Sequence, residues 1–355
     1  MDAAARGIFG NASSTHRAGQ TAHEHLEKAR TTVAGSIHAS PNEIVFTSGG
    51  TEANNLAILG LVGPRRGHVV TTAIEHPSVL ECCRRLKHTL VAPRDRISDF
   101  ITPETVLVSV MHANNETGSI QDVAELGRRI RERRAGGQEI YLHSDGVQAL
   151  GNIGVDVQAL GVDLYSISAH KMFGPKGVGA LYVRHGTPLS GIQFGGRHER
   201  GRRAGTENVP GAIAFARALK LARENDVDVN ALRHYFEAEV LWHVADVEIN
   251  GVGSLRLPNT SNLLFRGISA EALVIALDMQ GMAVSTGSAC SSGSIEPSHV
   301  LLAMGRSREE AKSSVRFSFG RYNTRSEVEQ LIEAVISCIR RLRRKTRALE
   351  TQLVS

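Results

Sequence analysis

Apolar stretches of strand length alternate with helical patterns through the first half of the chain. The segments between the apolar stretches show helical spacing or a proline suited to a first helical turn. Strands that alternate with helices in this way favour a parallel sheet joined by right-handed crossovers. The strands are predicted at 43–47, 69–73, 106–111, 140–143 and 162–167, and the clearest helices at 19–36, 56–61 and 123–134.

Polar side chains follow each predicted strand. These clusters occupy 48–55, 74–78, 112–118, 144–148 and 168–171. Because parallel strands of an open α/β sheet end at the same edge, and ligands bind outside that edge, the five clusters are expected to converge.

The last cluster contains Lys171, an amine at a strand end that can form a Schiff base with an aldehyde cofactor such as pyridoxal 5'-phosphate (PLP). Asp145 could keep a pyridine nitrogen protonated, and Gln148 could reach the phenolic oxygen of the ring. The turn at 48–51 would expose backbone N–H groups at a helix N-terminus, where a phosphate is favoured. His76 could stack on a flat ring and move protons. Each feature also has an ordinary structural explanation, but their joint occurrence at strand ends favours a PLP site.

A chain of 355 residues exceeds the size at which a single core stops growing, so one large and one small domain are expected. We predict an N-terminal arm at 1–15, a large PLP-binding domain at 16–246 and a small α+β domain at 247–355. Within the small domain, strands are predicted at 263–265, 282–285 and 315–319, a helix at 271–279, and a final helix over the apolar-periodic segment that begins near Val328.

Composition narrows the class of protein. No apolar run approaches the ~18 residues that span a membrane, and the first residues lack the regions of a signal peptide, so a cytoplasmic location is expected. The four cysteines form no paired Cys-x-x-Cys zinc motif and are expected to be reduced, with Cys82 and Cys83 packed inside a helix. The basic cluster at 340–347 is interpreted as a solvated helix end, and direct nucleic-acid binding is not expected.

Nine segments of the chain, in the same order, resemble the cysteine desulfurases of the NifS/IscS family. The segment GSACSSG at 287–293 is the most specific of them. The others are TSGGTEANN (47–55), EHP (75–77), NNETG (114–118), DGVQ (145–148), SAHK (168–171), RAGTEN (203–208), LPNTSN (257–262) and VRFSFG (315–320). The resemblance covers nearly the whole chain from Phe9 onward and implies the α/β fold of type I PLP enzymes, usually homodimeric.

The resemblance also implies a role for each matching residue. The implied roles are a Schiff base with PLP for Lys171, a ring-nitrogen partner for Asp145, ring contacts for Gln148, Asn115 and His76, phosphate ligands for Gly50, Thr51, Ser168 and His170, a phosphate ligand from the other subunit for Thr206, a substrate carboxylate ligand for Arg316, and the sulfur acceptor for Cys290. An arginine suits the carboxylate because its planar fork makes bidentate ion pairs.

The implied reaction converts L-cysteine to L-alanine and leaves the sulfur on Cys290 as a persulfide. Serine and glycine neighbours suit the accessible thiol that such a reaction needs. The sulfur would pass to acceptor proteins in iron–sulfur cluster assembly or in the thiolation of tRNA and other products. No resident metal is implied, although Cys290 could contact an iron–sulfur cluster transiently.

The N-terminus departs from the family pattern. Members usually begin with a strand and a helix before the segment that corresponds to 10–16, and here 2–5 retain only a hint of the strand. Two alternatives therefore stay open: another type I PLP enzyme such as a selenocysteine lyase or an aminotransferase-like enzyme, and a catalytically weak partner in sulfur transfer.

Overall fold

A computed structural model describes residues 1–63, 67–224, 227–287 and 296–354 of the chain. The chain divides into two compact units. The first unit comprises Met1–Ala113 and Gln121–Asn225, and the second comprises Asn114–Ile120 and Asp226–Ser355.

The first unit is built on a sheet in which seven strands can be identified within the described ranges. The strands are β1 (Ile44–Thr47), β2 (His68–Thr72), β3 (Thr89–Ala92), β4 (Thr105–Met111), β5 (Tyr141–Asp145), β6 (Leu164–Ser168) and β7 (Gly179–Val183). Their order in the sheet is β1-β7-β6-β5-β4-β2-β3. The strands β2 to β6 pair in parallel, which confirms the mostly parallel sheet predicted from the sequence.

The strand β7 was not predicted in the sequence analysis. It pairs antiparallel with both β6 and β1, so β1 runs in the same direction as β6. Consequently β1 joins the parallel strands in ending at the same edge of the sheet.

Gly179, the first residue of β7, lies opposite Thr47 of β1 and Ser168 of β6. A Cβ at this position would lie 2.6 Å from the Ile167 carbonyl oxygen and 2.8 Å from the Gly49 Cα atom. Only a residue without a side chain therefore allows the ends of β1 and β6 to approach this closely, as expected for a strand glycine at a close backbone approach.

Helices cover the sheet of the first unit: α1 (Asp2–Gly7), α2 (Arg17–Gly35), α3 (Gly50–Val62), α4 (Pro77–Arg84), α5 (Val123–Ala135), α6 (Val157–Leu160) and α7 (Val209–Arg223). Short 3₁₀ helices lie at Pro41–Glu43, Arg94–Phe100, Ala169–Met172 and His198–Gly201. The Asp122 carboxylate accepts from the Glu125 N–H and caps α5. The α1 helix includes residues 2–5, where the sequence analysis found a hint of a strand.

Cys82 and Cys83 are packing residues, as predicted. Both are buried in α4 and belong to the hydrophobic core of the first unit. Burial raises the pKa of the Cys82 thiol to about 11 and that of the Cys83 thiol to about 12, so neither forms a thiolate readily near neutral pH.

The second unit packs helices against a smaller antiparallel sheet of order β10-β9-β8. Its elements are α8 (Val229–His243), β8 (Val247–Ile249), β9 (Thr260–Phe265), α9 (Ala270–Asp278), α10 (His299–Ala303), α11 (Arg308–Lys312), β10 (Ser314–Ser318) and α12 (Arg325–Val354). The core is aromatic at its centre: the Phe236 and Phe317 rings lie 4.7 Å apart between centroids, and Phe265 packs on Phe317.

Three details of the second unit differ from the sequence analysis. The helix α8, expected in the large domain, belongs here because Phe236 and Val240 lie in this core. The segment 114–120 also belongs here, because Ile120 N–H donates to the Leu255 carbonyl and Leu257 N–H donates to the Gly118 carbonyl. The segment 282–285 forms no strand; its Ser285 makes only an isolated bridge to Arg316.

None of the helices within the described ranges is long and apolar enough to cross a membrane.

We expect Gly179→Ala to lower the free energy of unfolding by about 1–3 kcal/mol, the usual cost of overpacking. The added methyl group would force β7 away from Gly49 or from β6. Urea titration followed by circular dichroism measures the change. Gly154→Ala is the matched control, because a Cβ there meets no heavy atom within 4 Å. Equal stability of the two variants would contradict the close approach.

Candidate active site

Asp145 is the last residue of β5, and its carboxylate is buried. The Asn54 Nδ2 atom donates to Oδ2 at 2.7 Å, and the Val147 N–H donates to Oδ1 at 3.0 Å. Burial raises the pKa of Asp145, while these two donors and the positive charges of His76 and Lys171 act in the opposite direction. The arrangement therefore presents an anion, held by oriented donors, at the end of a central strand.

Lys171 lies one strand away, in the 3₁₀ turn Ala169–Met172 that follows β6 directly. The neighbouring strands are aligned so that Asp145 pairs with Ser166. Lys171 is exposed. The strand end thus presents an amine to solvent three residues beyond Ser168, the last residue of β6.

The N-terminus of α3 and the end of β6 form a small polar cradle. The Ser168 hydroxyl is 2.9 Å from His170 Nδ1, and a Cβ built on Gly49 would lie 3.8 Å from Ser168 Oγ. A Cβ on Gly50 would clash with the Val147 side chain at 2.6 Å, so glycine is required there. Together with Thr51, this cradle offers backbone N–H groups, hydroxyls and an imidazole, which suits a phosphate. Partial burial and the nearby lysines lower the pKa of His170.

Glu52, in the first turn of α3, has a carboxylate with two hydrogen-bond partners. Its carboxylate accepts from Arg203 Nε at 2.8 Å and from the Ser48 N–H at 2.7 Å. Although partial burial opposes them, these contacts lower the pKa of Glu52. The acidic charge is therefore neutralised by Arg203, in the same segment as Thr206.

His76 is the N-cap residue of α4, and its Nδ1 atom accepts from the Ser78 N–H at 3.1 Å. The Ser78 hydroxyl is 2.7 Å from the same nitrogen and 2.8 Å from Asn54 Nδ2. His76 is thus connected to Asp145 through two buried side chains that the sequence analysis did not assign to the site.

Glu75 is a second buried carboxyl group that the sequence analysis left without a role. It accepts from the Thr72 hydroxyl at 2.6 Å and from the Met111 N–H at 3.1 Å. Burial raises its pKa to about 8, helped by the charge of Asp145. The charge of Asp145 therefore disfavours a second charge on Glu75.

In the second unit, Arg316 lies on β10 and donates from Nη1 to the Asn115 carbonyl oxygen at 2.8 Å. Burial lowers the pKa of Arg316, and the Glu116 charge opposes that shift. Its Nε atom is buried and has no hydrogen-bond partner among the described residues. The Glu116 carboxyl group contacts the Ser298 hydroxyl, and burial raises its pKa. Arg316 can therefore accept an anionic ligand.

The structure groups most of the candidate residues in the first unit. These are Gly50, Thr51, His76, Asp145, Gln148, Ser168, His170 and Lys171, together with Thr206 on an exposed loop. Asn115 and Arg316 belong to the second unit. Cys290 lies outside the described residues. Within the ranges that the structure describes, no group of three or more His, Cys, Asp or Glu side chains is arranged to hold a metal ion.

Comparison with known proteins identifies the family. Residues 2–331 match the class-V aminotransferase family. Among curated relatives, cysteine desulfurase IscS of Dictyoglomus turgidum is 43% identical over 94% of this chain and 89% of its own. Putative cysteine desulfurase IscS 1 of Bacillus subtilis is 42% identical over 95% of this chain and 93% of its own.

Comparison with solved structures points to the same family as comparison with the curated relatives. A NifS-like protein superimposes with a TM-score of 0.88 at 34% identity, covering 96% of this chain and 94% of its own. DndA from Streptomyces lividans superimposes with a TM-score of 0.73 at 39% identity, covering 89% of this chain and 93% of its own. These matches confirm the type I fold predicted from the sequence. The chain therefore belongs to the class V aminotransferase family of PLP-dependent enzymes, within its NifS/IscS group of cysteine desulfurases.

Proposed function

We propose that this chain uses PLP to convert L-cysteine to L-alanine and transfers the sulfur to Cys290 as a persulfide. The observation that carries the proposal is the buried Asp145 carboxylate at the end of β5, held by Asn54 and Val147 in the same unit as Lys171. A buried carboxylate of this kind is suited to stabilise a cationic ring nitrogen, which is what a PLP enzyme requires.

The residues of the first unit fit PLP at each end of the cofactor. The cradle of Gly50, Thr51, Ser168 and His170 would hold the phosphate, joined by Thr206 of the other subunit of a homodimer. Asp145 would hold the ring nitrogen, His76 would stack on the ring, and Gln148, with Asn115, would bind the phenolic oxygen. When bound, PLP supplies an electron sink for the bonds at the substrate Cα atom.

Lys171 would hold the cofactor and, once displaced by the amino group of the substrate, its free amine would take the Cα proton. A primary amine at a solvent-exposed strand end suits both tasks, because it can exchange between covalent and free forms. His76 would move protons to and from the reacting atoms.

Arg316 would bind the substrate carboxylate through a bidentate ion pair. Its partly satisfied guanidinium supports this role, since Nη1 donates to the neutral Asn115 carbonyl and Nε has no hydrogen-bond partner in the described part of the chain. A carboxylate would supply the charge and the acceptors together.

The Cys290 thiolate would attack the substrate sulfur, so that an S–S bond forms as the substrate C–S bond breaks. The electron pair of the broken bond stays on the carbon side, which takes up a proton and leaves as alanine. The persulfide is the form in which sulfur would pass to an acceptor protein, in iron–sulfur cluster assembly or in thiolation.

A cytoplasmic location stays a prediction.

We expect the purified, PLP-loaded chain to form alanine from L-cysteine in the presence of a reductant. Cys290→Ala should lower the rate about a hundredfold or more, as loss of a nucleophile does. Cys338→Ala is the control, because Cys338 is buried in the core of the second unit. Alanine is measured by chromatography after quenching. A PLP-loaded parent without alanine formation would favour the non-catalytic alternative, and activity in Cys290→Ala would favour a lyase that needs no persulfide.

Arg316→Lys should raise the KM for L-cysteine about tenfold or more, because a charge-assisted hydrogen bond is worth about 1.5–3 kcal/mol and lysine cannot make the bidentate pair. Initial rates over a range of L-cysteine concentrations give KM and kcat separately. Arg306→Lys is the matched control, since Arg306 pairs with Glu248 at 2.8 Å on the same unit. An unchanged KM in Arg316→Lys would remove the arginine from the carboxylate site.

A further inference from the structure

We propose that Asn54 and Ser78 are positioning residues that connect His76 to Asp145 and hold the His76 imidazole in a single tautomer. The inference rests on the proposed function for the roles of His76 and Asp145. The connection itself is a property of the protein without cofactor.

The connection is a continuous chain of short hydrogen bonds across three elements. It runs from Asp145 Oδ2 to Asn54 Nδ2 (2.7 Å), from Asn54 Nδ2 to Ser78 Oγ (2.8 Å), and from Ser78 Oγ to His76 Nδ1 (2.7 Å). Asp145 lies at the end of β5, Asn54 on α3, and Ser78 in the first turn of α4. Asn54 is 1% exposed and Ser78 is 8% exposed, so water cannot replace these contacts freely.

The direction of each hydrogen bond follows from the groups at the two ends. A carboxylate only accepts, so the Asn54 amide must turn its NH₂ group toward Asp145. That NH₂ group has two hydrogens, and the second one is donated to Ser78 Oγ. The Ser78 N–H donates to His76 Nδ1 at 3.1 Å, so Nδ1 carries no hydrogen and the Ser78 hydroxyl must donate to it as well. The neutral imidazole consequently carries its hydrogen on Nε2.

The orientation of the Asn54 amide carries a free-energy cost, because one of its polar atoms is left without a hydrogen bond within the described residues. With its NH₂ group turned toward Asp145 and Ser78, the Oδ1 atom is buried and has no hydrogen-bond partner in the described residues. An unsatisfied buried acceptor is destabilising, and such groups are uncommon in native proteins. An amide placed only for packing would not need this orientation, which indicates that its two donor contacts matter more than its acceptor.

An amide has an advantage over a cation at this position. Asn54 helps to lower the pKa of Asp145 against the effect of burial, yet it adds no positive charge. A lysine or arginine in its place would form an ion pair with Asp145 and compete with a protonated ring nitrogen. Asn54 therefore favours the carboxylate form of Asp145 without supplying a competing cation.

The test uses Ser78→Ala, which removes only the central hydroxyl, and Ser78→Thr, which restores one. Ser36→Ala is the matched control: Ser36 is buried in the same unit, and its hydroxyl donates to the Val33 carbonyl at 2.6 Å. Thermal unfolding checks that each variant is folded. The full-length chain is labelled with ¹⁵N-histidine, and His76 is assigned by the signal lost in His76→Gln.

In the cofactor-free protein we expect the parent to show the Nε2–H tautomer at His76. The Nδ1 signal should shift in Ser78→Ala, because the nitrogen loses one of its two donors, and should return toward the parent position in Ser78→Thr. With PLP bound, kcat for alanine formation should fall about tenfold in Ser78→Ala at nearly unchanged KM, less than the roughly 10²–10⁴-fold that general acid–base catalysis contributes, because His76 itself is retained. Ser36→Ala should match the parent in every measurement.

Two results would overturn the proposal: an Nδ1–H tautomer in the parent, or a Ser78→Ala protein whose Nδ1 signal and kcat both equal those of the parent. A parent that forms no alanine would instead contradict the proposed function. The tautomer measurement would still decide the hydrogen-bonded connection, because it needs neither cofactor nor turnover.

Discussion

The first unit depends on one electrostatic constraint: a carboxylate must remain charged while it is buried at the end of β5. Burial alone favours the neutral acid, as the pKa of about 8 for nearby Glu75 illustrates. Asp145 also has the positive charges of His76 and Lys171 nearby, which act with the Asn54 and Val147 donors against the effect of burial. The fold supplies these donors from separate elements, α3 and the turn after β5, so the charge depends on how the helices pack on the sheet.

Sheet topology sets where that charge can be used. Because β7 runs antiparallel between β1 and β6, the ends of β1 and β6 lie on either side of Gly179. This brings the glycine turn after β1 close to Ser168, so the phosphate cradle and Lys171 share one strand end. Asp145, the proposed partner for the ring nitrogen, lies on the next strand, β5. The proposed phosphate cradle, the Lys171 amine and the Asp145 acid are therefore ordered along the sheet edge by strand order.

The sequence predicted much of this arrangement because its signals are local. The five strand-length apolar runs of the first unit, the proline after His76 and the glycine turn at 48–51 each depend on neighbours in the chain, and the structure has elements at all of them. Long-range partners carry no such signal. Asn54 and Asp145 are 91 positions apart, and nothing near Asn54 indicates which acid it will meet. The assignment of 114–120 to the second unit likewise depends on backbone contacts with distant residues 255–257.

The two units apply the same principle to ions of opposite sign. In the first unit, Asp145 is a buried acid that accepts from neutral donors, and in the second unit Arg316 is a largely buried base that donates to a neutral carbonyl. Burial raises the pKa of the acid and lowers that of the base, so in each case the charged form is disfavoured until an opposite charge arrives. A ligand that brings a cationic ring nitrogen to Asp145 or a carboxylate to Arg316 relieves this penalty on binding. The free protein therefore binds ligands that carry these opposite charges in preference to ligands that lack them.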